Sequence, residues 1–88
     1  MSMSAANRSR IVTVRTPSGE FEIARQWRSE APNRPGEWEW VARRRGEDDW
    51  CRGGSAREAI GWATGLLAGA WPGWLADAAG EAERKLSP

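Results

Sequence analysis

The sequence predicts an α+β fold: a three-stranded antiparallel β-meander, with a short fourth strand near Trp50 left open, covered by one long helix and a second, C-terminal helix. Three observations predict it. Apolar and polar residues alternate between positions 12 and 45, turn residues interrupt this alternation, and helical spacing replaces it after Ser55. At 88 residues the chain is expected to form a single small domain, 10–86, after a flexible N-terminal segment, 1–9.

The first two strands are predicted to form a β-hairpin. Val12 and Val14 alternate with polar residues, as do Phe21 and Ile23 on the far side of a Pro-x-Gly turn at 16–19. A loop rich in proline and glycine follows at 31–36, and Arg25 is the one break in the apolar pattern.

The third strand follows the same alternation and defines the two faces of the sheet. The apolar side chains of all three strands fall on one face: Val12, Val14, Phe21, Ile23, Trp27, Trp38 and Trp40. The other face mixes charges of both signs, as on a solvated antiparallel sheet: Thr13, Arg15, Glu20, Glu22, Arg28, Glu37, Glu39, Arg43 and Arg45. Trp38 and Trp40 are therefore predicted to lie in the core.

Two helices are predicted to cover the apolar face. Ser55 and Glu58 have the spacing of a capping box, and apolar residues at helical spacing run from there to Ala70. A turn at 71–74 interrupts, and the second helix, 74–86, carries one apolar stripe: Leu75, Ala78, Ala79, Ala82 and Leu86.

The residue inventory argues against an enzyme. The chain has no histidine and one cysteine, so the commonest general base, the usual metal ligand and any intramolecular disulfide are missing from the sequence. Cys51, Gly54 and Arg57 match the C-x-x-G-x-x-R spacing of a phosphate-binding loop, but no buried parallel strand precedes them. We expect no catalytic residue, no metal, no cofactor and a cytoplasmic location.

The charge balance limits the choice of partner. Thirteen basic residues face 12 acidic ones, which leaves a net charge of +1, whereas dedicated nucleic-acid-binding domains are usually far more basic. Tryptophan beside arginine is the usual composition of a protein-interaction hot spot. The leading hypothesis is a small interaction protein, such as a phage or mobile-element regulator or inhibitor, that binds another protein through Trp50, Trp71, Trp74, Arg43, Arg44, Arg45, Arg52 and Arg57.

Three alternatives remain open. The first is nucleic-acid binding, in which Arg43, Arg44, Arg45, Arg52 and Arg57 would neutralise phosphates; three carboxylates at 47–49 oppose it. The second is a homodimer through the glycine row Gly61, Gly65 and Gly69. The third is membrane association through the uncharged segment 59–76, whose proline and glycines weaken it.

Overall fold

The computed structural model describes residues 8–28 and 36–87. Four strands and two α-helices form an α+β domain in the order β1 (Val12–Thr16), β2 (Gly19–Arg28), β3 (Glu37–Arg44), β4 (Cys51–Gly53), α1 (Ala56–Ala63) and α2 (Trp74–Leu86), with a 3₁₀ helix (Ala68–Ala70) between the helices. The antiparallel meander is confirmed, and the fourth strand is present. The N-terminal residues 1–7 of the predicted flexible segment, and residues 31–35 of the predicted loop, lie outside the described residues.

The sheet has the strand order β1-β2-β3-β4 with antiparallel pairing throughout. Val14 lies opposite Phe21, and Ile23 lies opposite Ala42, so the apolar residues share one face as predicted. The hairpin turn needs Gly19, whose φ of 120° is a conformation that other residues rarely adopt. The opposite face carries the predicted mixture of glutamates and arginines.

The core lies between this inner face and the two helices. Phe21 and Ile23 from the sheet, Ile60 from α1 and Leu75 from α2 are fully buried. Alanines occupy most other buried helix positions, namely Ala56, Ala59, Ala78, Ala79 and Ala82. Because alanine adds little width to a helix, both helices approach the sheet closely. The stripe predicted for α2 is confirmed.

The predicted long helix is divided. Ser55 caps α1 by accepting a hydrogen bond from the Glu58 N–H at 3.2 Å, as the capping box predicts. The helix ends after Ala63, since Gly65 adopts a φ of 80° and the chain then turns. No helix among the described residues is long and apolar enough to cross a bilayer, and the segment 59–76 is not one continuous helix.

Trp27 and Trp38 lie on the inner face of the sheet but beyond the part that the helices cover. Trp40 packs against the core, but Trp38 is 50% exposed, and it contacts the exposed Trp27 edge to face at a centroid distance of 5.5 Å. The prediction that Trp38 is core is therefore wrong. The pattern assigned the correct face, but α1, about 12 Å long, does not reach this end of the sheet.

Arg25, the exception in the apolar alternation, does lie on the inner face. Its guanidinium carbon is 4.6 Å from the centroid of the Trp40 ring, near the C-terminus of α2, where Leu86 and Ser87 line the same groove. The aromatic ring and the helix C-terminus both favour a cation, which makes arginine tolerable at this position.

The sheet starts before the predicted domain boundary at residue 10. Arg8 pairs with Gln26, and its Nε and Nη2 both donate to Gln26 Oε1 at 3.0 and 2.6 Å. Further along, Lys85 Nζ donates to the Thr13 carbonyl at 2.8 Å, and Arg10 donates to the Lys85 carbonyl. The end of α2 thus contacts the β1 edge of the sheet and occupies the Thr13 carbonyl there.

We predict that Gly53→Ala destabilises the fold, whereas Gly54→Ala does not. A Cβ at Gly53 would lie 2.6 Å from the Ala59 backbone nitrogen and 2.9 Å from the Glu58 carbonyl carbon, so α1 would have to move away from β4. We expect the free energy of unfolding to fall by about 1–3 kcal/mol. At Gly54 the Cβ would meet only the flexible end of Glu58, at 3.2 Å.

Urea denaturation of both variants measures the difference. Equal stability of Gly53→Ala and Gly54→Ala would show that α1 does not rest on β4 in this way.

Candidate functional site

The arginine run does not form one surface. Arg43 and Arg45 lie on the outer face of the sheet, whereas Arg44 lies on the inner face opposite Phe21, because successive strand residues point to opposite faces. The Arg44 guanidinium carbon is 4.8 Å from the Phe21 ring centroid, and Arg44 also donates to the Ser18 carbonyl. Arg44 therefore packs against Phe21 at the end of β3.

The outer-face arginines are matched by glutamates on neighbouring strands. Arg43 Nε donates to Glu22 Oε1 at 2.7 Å, and Arg45 Nη1 donates to Glu20 Oε1 at 3.0 Å. Arg15 lies 3.8 Å from the second Glu20 oxygen. Cross-strand pairs of opposite charge weaken the positive field that a phosphate backbone would meet.

Trp50 lies on this outer face with guanidinium groups against its ring. The guanidinium carbons of Arg43 and Arg8 are 4.4 and 4.7 Å from the ring centroid, and the side chain is half-buried. Stacking of this kind holds the loop between β3 and β4 against the sheet. Arg43 and Trp50, which the sequence analysis proposed for the same surface, do come together, and guanidinium groups lie against the Trp50 ring.

A second cluster forms around the connection between the helices. The Trp71 ring lies on Gly61, where a Cβ would be 2.5 Å from the ring, and Trp71 Nε1 donates to the Leu66 carbonyl at 3.1 Å. Trp62 contacts Trp71 edge to face at 5.0 Å, and the Arg57 guanidinium lies 5.4 Å from the Trp71 centroid. We call Arg57, Trp62, Leu66, Leu67 and Trp71 the loop patch.

The loop patch exposes large apolar side chains side by side. Leu67 is 81% exposed, Leu66 is 44% exposed and Trp62 is 45% exposed. The sequence analysis did not predict that both leucines are exposed, because their spacing placed them in the buried stripe of a long helix. The signal that could have separated them was Gly65, which directly precedes them and ends the helix.

Trp74 is half-buried against the core, and the glycine row does not form one face of a helix. Trp74 packs against the core, with its ring 6.4 Å from that of Phe21. Gly61 is covered by Trp71, Gly65 lies in a turn, and Gly69 lies in the 3₁₀ helix, so the three glycines do not share one helical face. Self-association itself stays a prediction, without this row as its surface. Arg52 lies on the outer face of β4, mostly exposed, 4.0 Å from Glu39.

Cys51 lacks the environment of a catalytic thiolate. Partial burial of the thiol and the nearby carboxylates of Asp49 and Glu47 raise the pKa of Cys51 above its ordinary value. A phosphate-binding loop of the cysteine type needs the opposite shift. Within residues 8–28 and 36–87, no group of three or more cysteine, aspartate or glutamate side chains is placed to hold a metal ion.

Comparison with known proteins gives no further guide: no protein-family model, no curated protein and no solved structure matches this chain.

We predict that Cys51 is alkylated more slowly by iodoacetamide in the folded chain than in the urea-unfolded chain at neutral pH. Its raised pKa means that the folded state holds the thiol proton more tightly, so less thiolate is present to react. For the same reason, the stability of the fold should decrease as the pH rises above the ordinary pKa of a cysteine.

The pH profile of the alkylation rate, measured on folded and unfolded chains, gives the pKa of Cys51 in each state. The difference between the two pKa values gives the change in stability with pH. A folded chain that reacts faster at neutral pH would instead identify Cys51 as an activated nucleophile.

Proposed function

We propose that this protein is a non-enzymatic binding domain that recognises another protein through the loop patch. The observation that carries the proposal is the exposure of three large apolar side chains, Trp62, Leu66 and Leu67. No buried contact in the described part of the fold offsets the cost of placing this apolar area in water, and such areas mark interaction sites. Tryptophan and arginine at the centre of such an area are typical of interface hot spots.

The charge of Arg57 within the loop patch indicates what the partner offers. Arg57 is exposed, and among the described residues it makes no ion pair, so its guanidinium is held by its contact with the Trp71 ring. A partner with an apolar pocket and a carboxylate at its rim would match the leucines and this cation together. Trp71 supports the surface from below, since it is fixed by Gly61 and by its hydrogen bond to Leu66.

Leu66→Asp is expected to weaken partner binding strongly, whereas Ile11→Asp leaves it unchanged. The two side chains are matched controls, because Leu66 is 44% and Ile11 45% exposed, and only Leu66 belongs to the loop patch. Placing a charge in the centre of an apolar interface should weaken binding by about 2 kcal/mol or more, which is roughly thirtyfold.

Affinity capture from cell extract, followed by titration of the captured protein against each variant, measures this difference. The proposal fails if both variants bind equally well, or if both lose binding to the same extent. Light scattering of the isolated chain tells whether a second copy takes the partner's place.

Nucleic-acid binding is the alternative, and it makes a distinct prediction. Arg45 is exposed and Arg43 half-buried, so reversal of their charges should reduce binding if phosphates meet the outer face. The glutamate pairing of these arginines leads us to expect no binding of duplex or single-stranded nucleic acid at physiological salt. Fluorescence anisotropy at low and physiological salt measures it, and tight binding with a steep salt dependence would favour this alternative over the loop patch.

A further inference from the structure

A groove of about 340 Å³ opens at the edge of the sheet where β4 ends. β4 pairs with residues 40–42 of β3, whereas β3 begins three residues earlier, at Glu37. After Gly53 the chain leaves the sheet to enter α1, so no described strand fills the space beside the first residues of β3. The groove is lined by Arg28, Glu37, Trp38, Glu39, Arg52, Gly53 and Gly54.

The shape of the groove suits a compact ligand. Gly53 lies opposite Trp40, and Gly54 follows it directly, so these two glycines close one end of the groove and leave no room for a further strand. Small-molecule sites usually have volumes of about 300–1,000 Å³, and this groove is near the lower limit. A small ring compound would fill it.

The charges around the groove balance each other. Its walls hold two guanidiniums and two carboxylates, those of Arg28, Arg52, Glu37 and Glu39. The buried Glu39 carboxylate lies between the arginines, 3.6 Å from Arg28 Nη1 and 4.0 Å from Arg52 Nε, so it is part of the wall. Because the charges cancel, neither an anion nor a cation gains an electrostatic advantage, which favours a neutral ligand.

The accessible polar groups of the groove include both donors and acceptors of hydrogen bonds. Glu37 is exposed, and its carboxylate makes no ion pair within the described residues. Arg52 is mostly exposed, and its guanidinium carries several N–H donors. A hydroxyl group donates and accepts at the same time, so a ligand with several hydroxyls would match this set.

The backbone of Trp38 adds one donor and one acceptor. Arg45 donates its N–H to the Glu20 carbonyl at 2.9 Å, which shows that Arg45 directs its backbone groups toward β2. Successive residues of a strand direct these groups to alternate sides, so the even-numbered residues of β3 face away from β2. Trp38 lies beyond the residues that pair with β4, and its N–H and C=O therefore point toward the groove.

Trp38 also brings an aromatic ring to the groove. The side chain is 50% exposed, and an edge-to-face contact with Trp27 at a centroid distance of 5.5 Å holds the ring in place. The face of an indole ring is electron-rich and attracts weakly positive C–H groups. A pyranose sugar combines the required features, since it has C–H groups on the faces of its ring and hydroxyls around the edge.

We propose that this groove binds a neutral pyranose sugar. The C–H face of the sugar stacks on the Trp38 ring, and its hydroxyls donate to the Glu37 carboxylate and accept from the Arg52 guanidinium. Glu39 forms the wall behind them and needs no direct contact with the ligand. The site shares no residue with the loop patch, so it stands or falls separately from the proposed function.

Titration of the isotope-labelled, intact chain with glucose, galactose and mannose tests the proposal by NMR. We expect at least one of these sugars to shift the indole and amide signals of Trp38, with a dissociation constant of about 1–10 mM for a small ligand on an open site. The uronic acid of that sugar adds a negative charge, and its alditol lacks the ring. Both should bind at least about tenfold more weakly than the sugar itself.

The methyl glycoside of the same sugar identifies the source of the ligand. Unchanged affinity would assign the site to the terminal sugar of a glycan, whereas a loss of affinity would assign it to a free sugar. Either result supports the proposal.

Trp38→Ala and Trp62→Ala form a matched pair on the protein side. The two tryptophans are 50% and 45% exposed, and only Trp38 borders the groove. We expect Trp38→Ala to weaken sugar binding at least about tenfold, Trp38→Phe to restore part of it, and Trp62→Ala to leave it unchanged. The backbone amide signals of Gly53 and Gly54 report binding in all three variants.

Glu37→Gln tests the charge balance without touching the aromatic contact. Because Glu37 is exposed, its replacement should leave the fold intact. The groove then carries an excess positive charge, so the preference for the neutral sugar over its uronic acid should narrow or reverse.

The absence of a saturable shift with all three sugars at about 50 mM would overturn the proposal, since a millimolar ligand would fill the site at that concentration. So would equal sugar binding by Trp38→Ala and the wild-type chain. Tighter binding of the uronic acid by the wild-type chain would contradict it as well, because the groove would then be an anion site.

Discussion

The length difference between the sheet and its helices is the constraint on which the rest of this structure depends. β2 has ten residues and spans about 33 Å, whereas α1 has eight residues and spans about 12 Å. A short helix cannot cover a long strand. The inner face is therefore dry near Phe21 and Ile60 and open near Trp27 and Trp38.

The same shortness creates the loop patch. Because α1 ends before Gly65, the chain must cross to α2 through a turn and a 3₁₀ helix, neither of which buries Leu66 or Leu67. Trp71 folds back on Gly61 and closes the core from the side, which leaves the leucines outside it. If α1 had continued to Ala70, Leu66 and Leu67 would belong to its apolar stripe and would be buried, so the loop patch would not form.

Alternation along the chain was enough to predict the sheet and which residues share each of its faces. Helical spacing was enough to predict the apolar stripe of α2. Val14, Phe21, Ile23 and Leu75 are buried where the pattern places them, since each belongs to a run with a clear period. The same reasoning failed at Trp38, because a period assigns a residue to a face but says nothing of how far the covering layer extends.

Candidate-site residues were harder to predict than the fold for a related reason. Arg43, Arg44 and Arg45 form one run in sequence, yet a strand sends the middle one to the core side and the outer two to solvent. Glu20 and Glu22, over 20 positions away, then decide how much charge remains. Trp50 was proposed as a partner-binding residue, and it is half-buried, with the Arg8 guanidinium against its ring. Local composition identified the kinds of side chain present, tryptophan and arginine. Contacts between residues distant in sequence decided which of these side chains are exposed and unpaired.

The two exposed surfaces lie beyond opposite ends of α1, and they differ in what they ask of a ligand. The groove of about 340 Å³ lies beside Gly53, just before the helix, and its walls include the exposed Trp38 and the buried carboxylate of Glu39. The loop patch follows the helix and offers apolar area with one cation. The close approach at Gly53 fixes α1 against β4, so the fold itself sets the spacing between the groove and the loop patch.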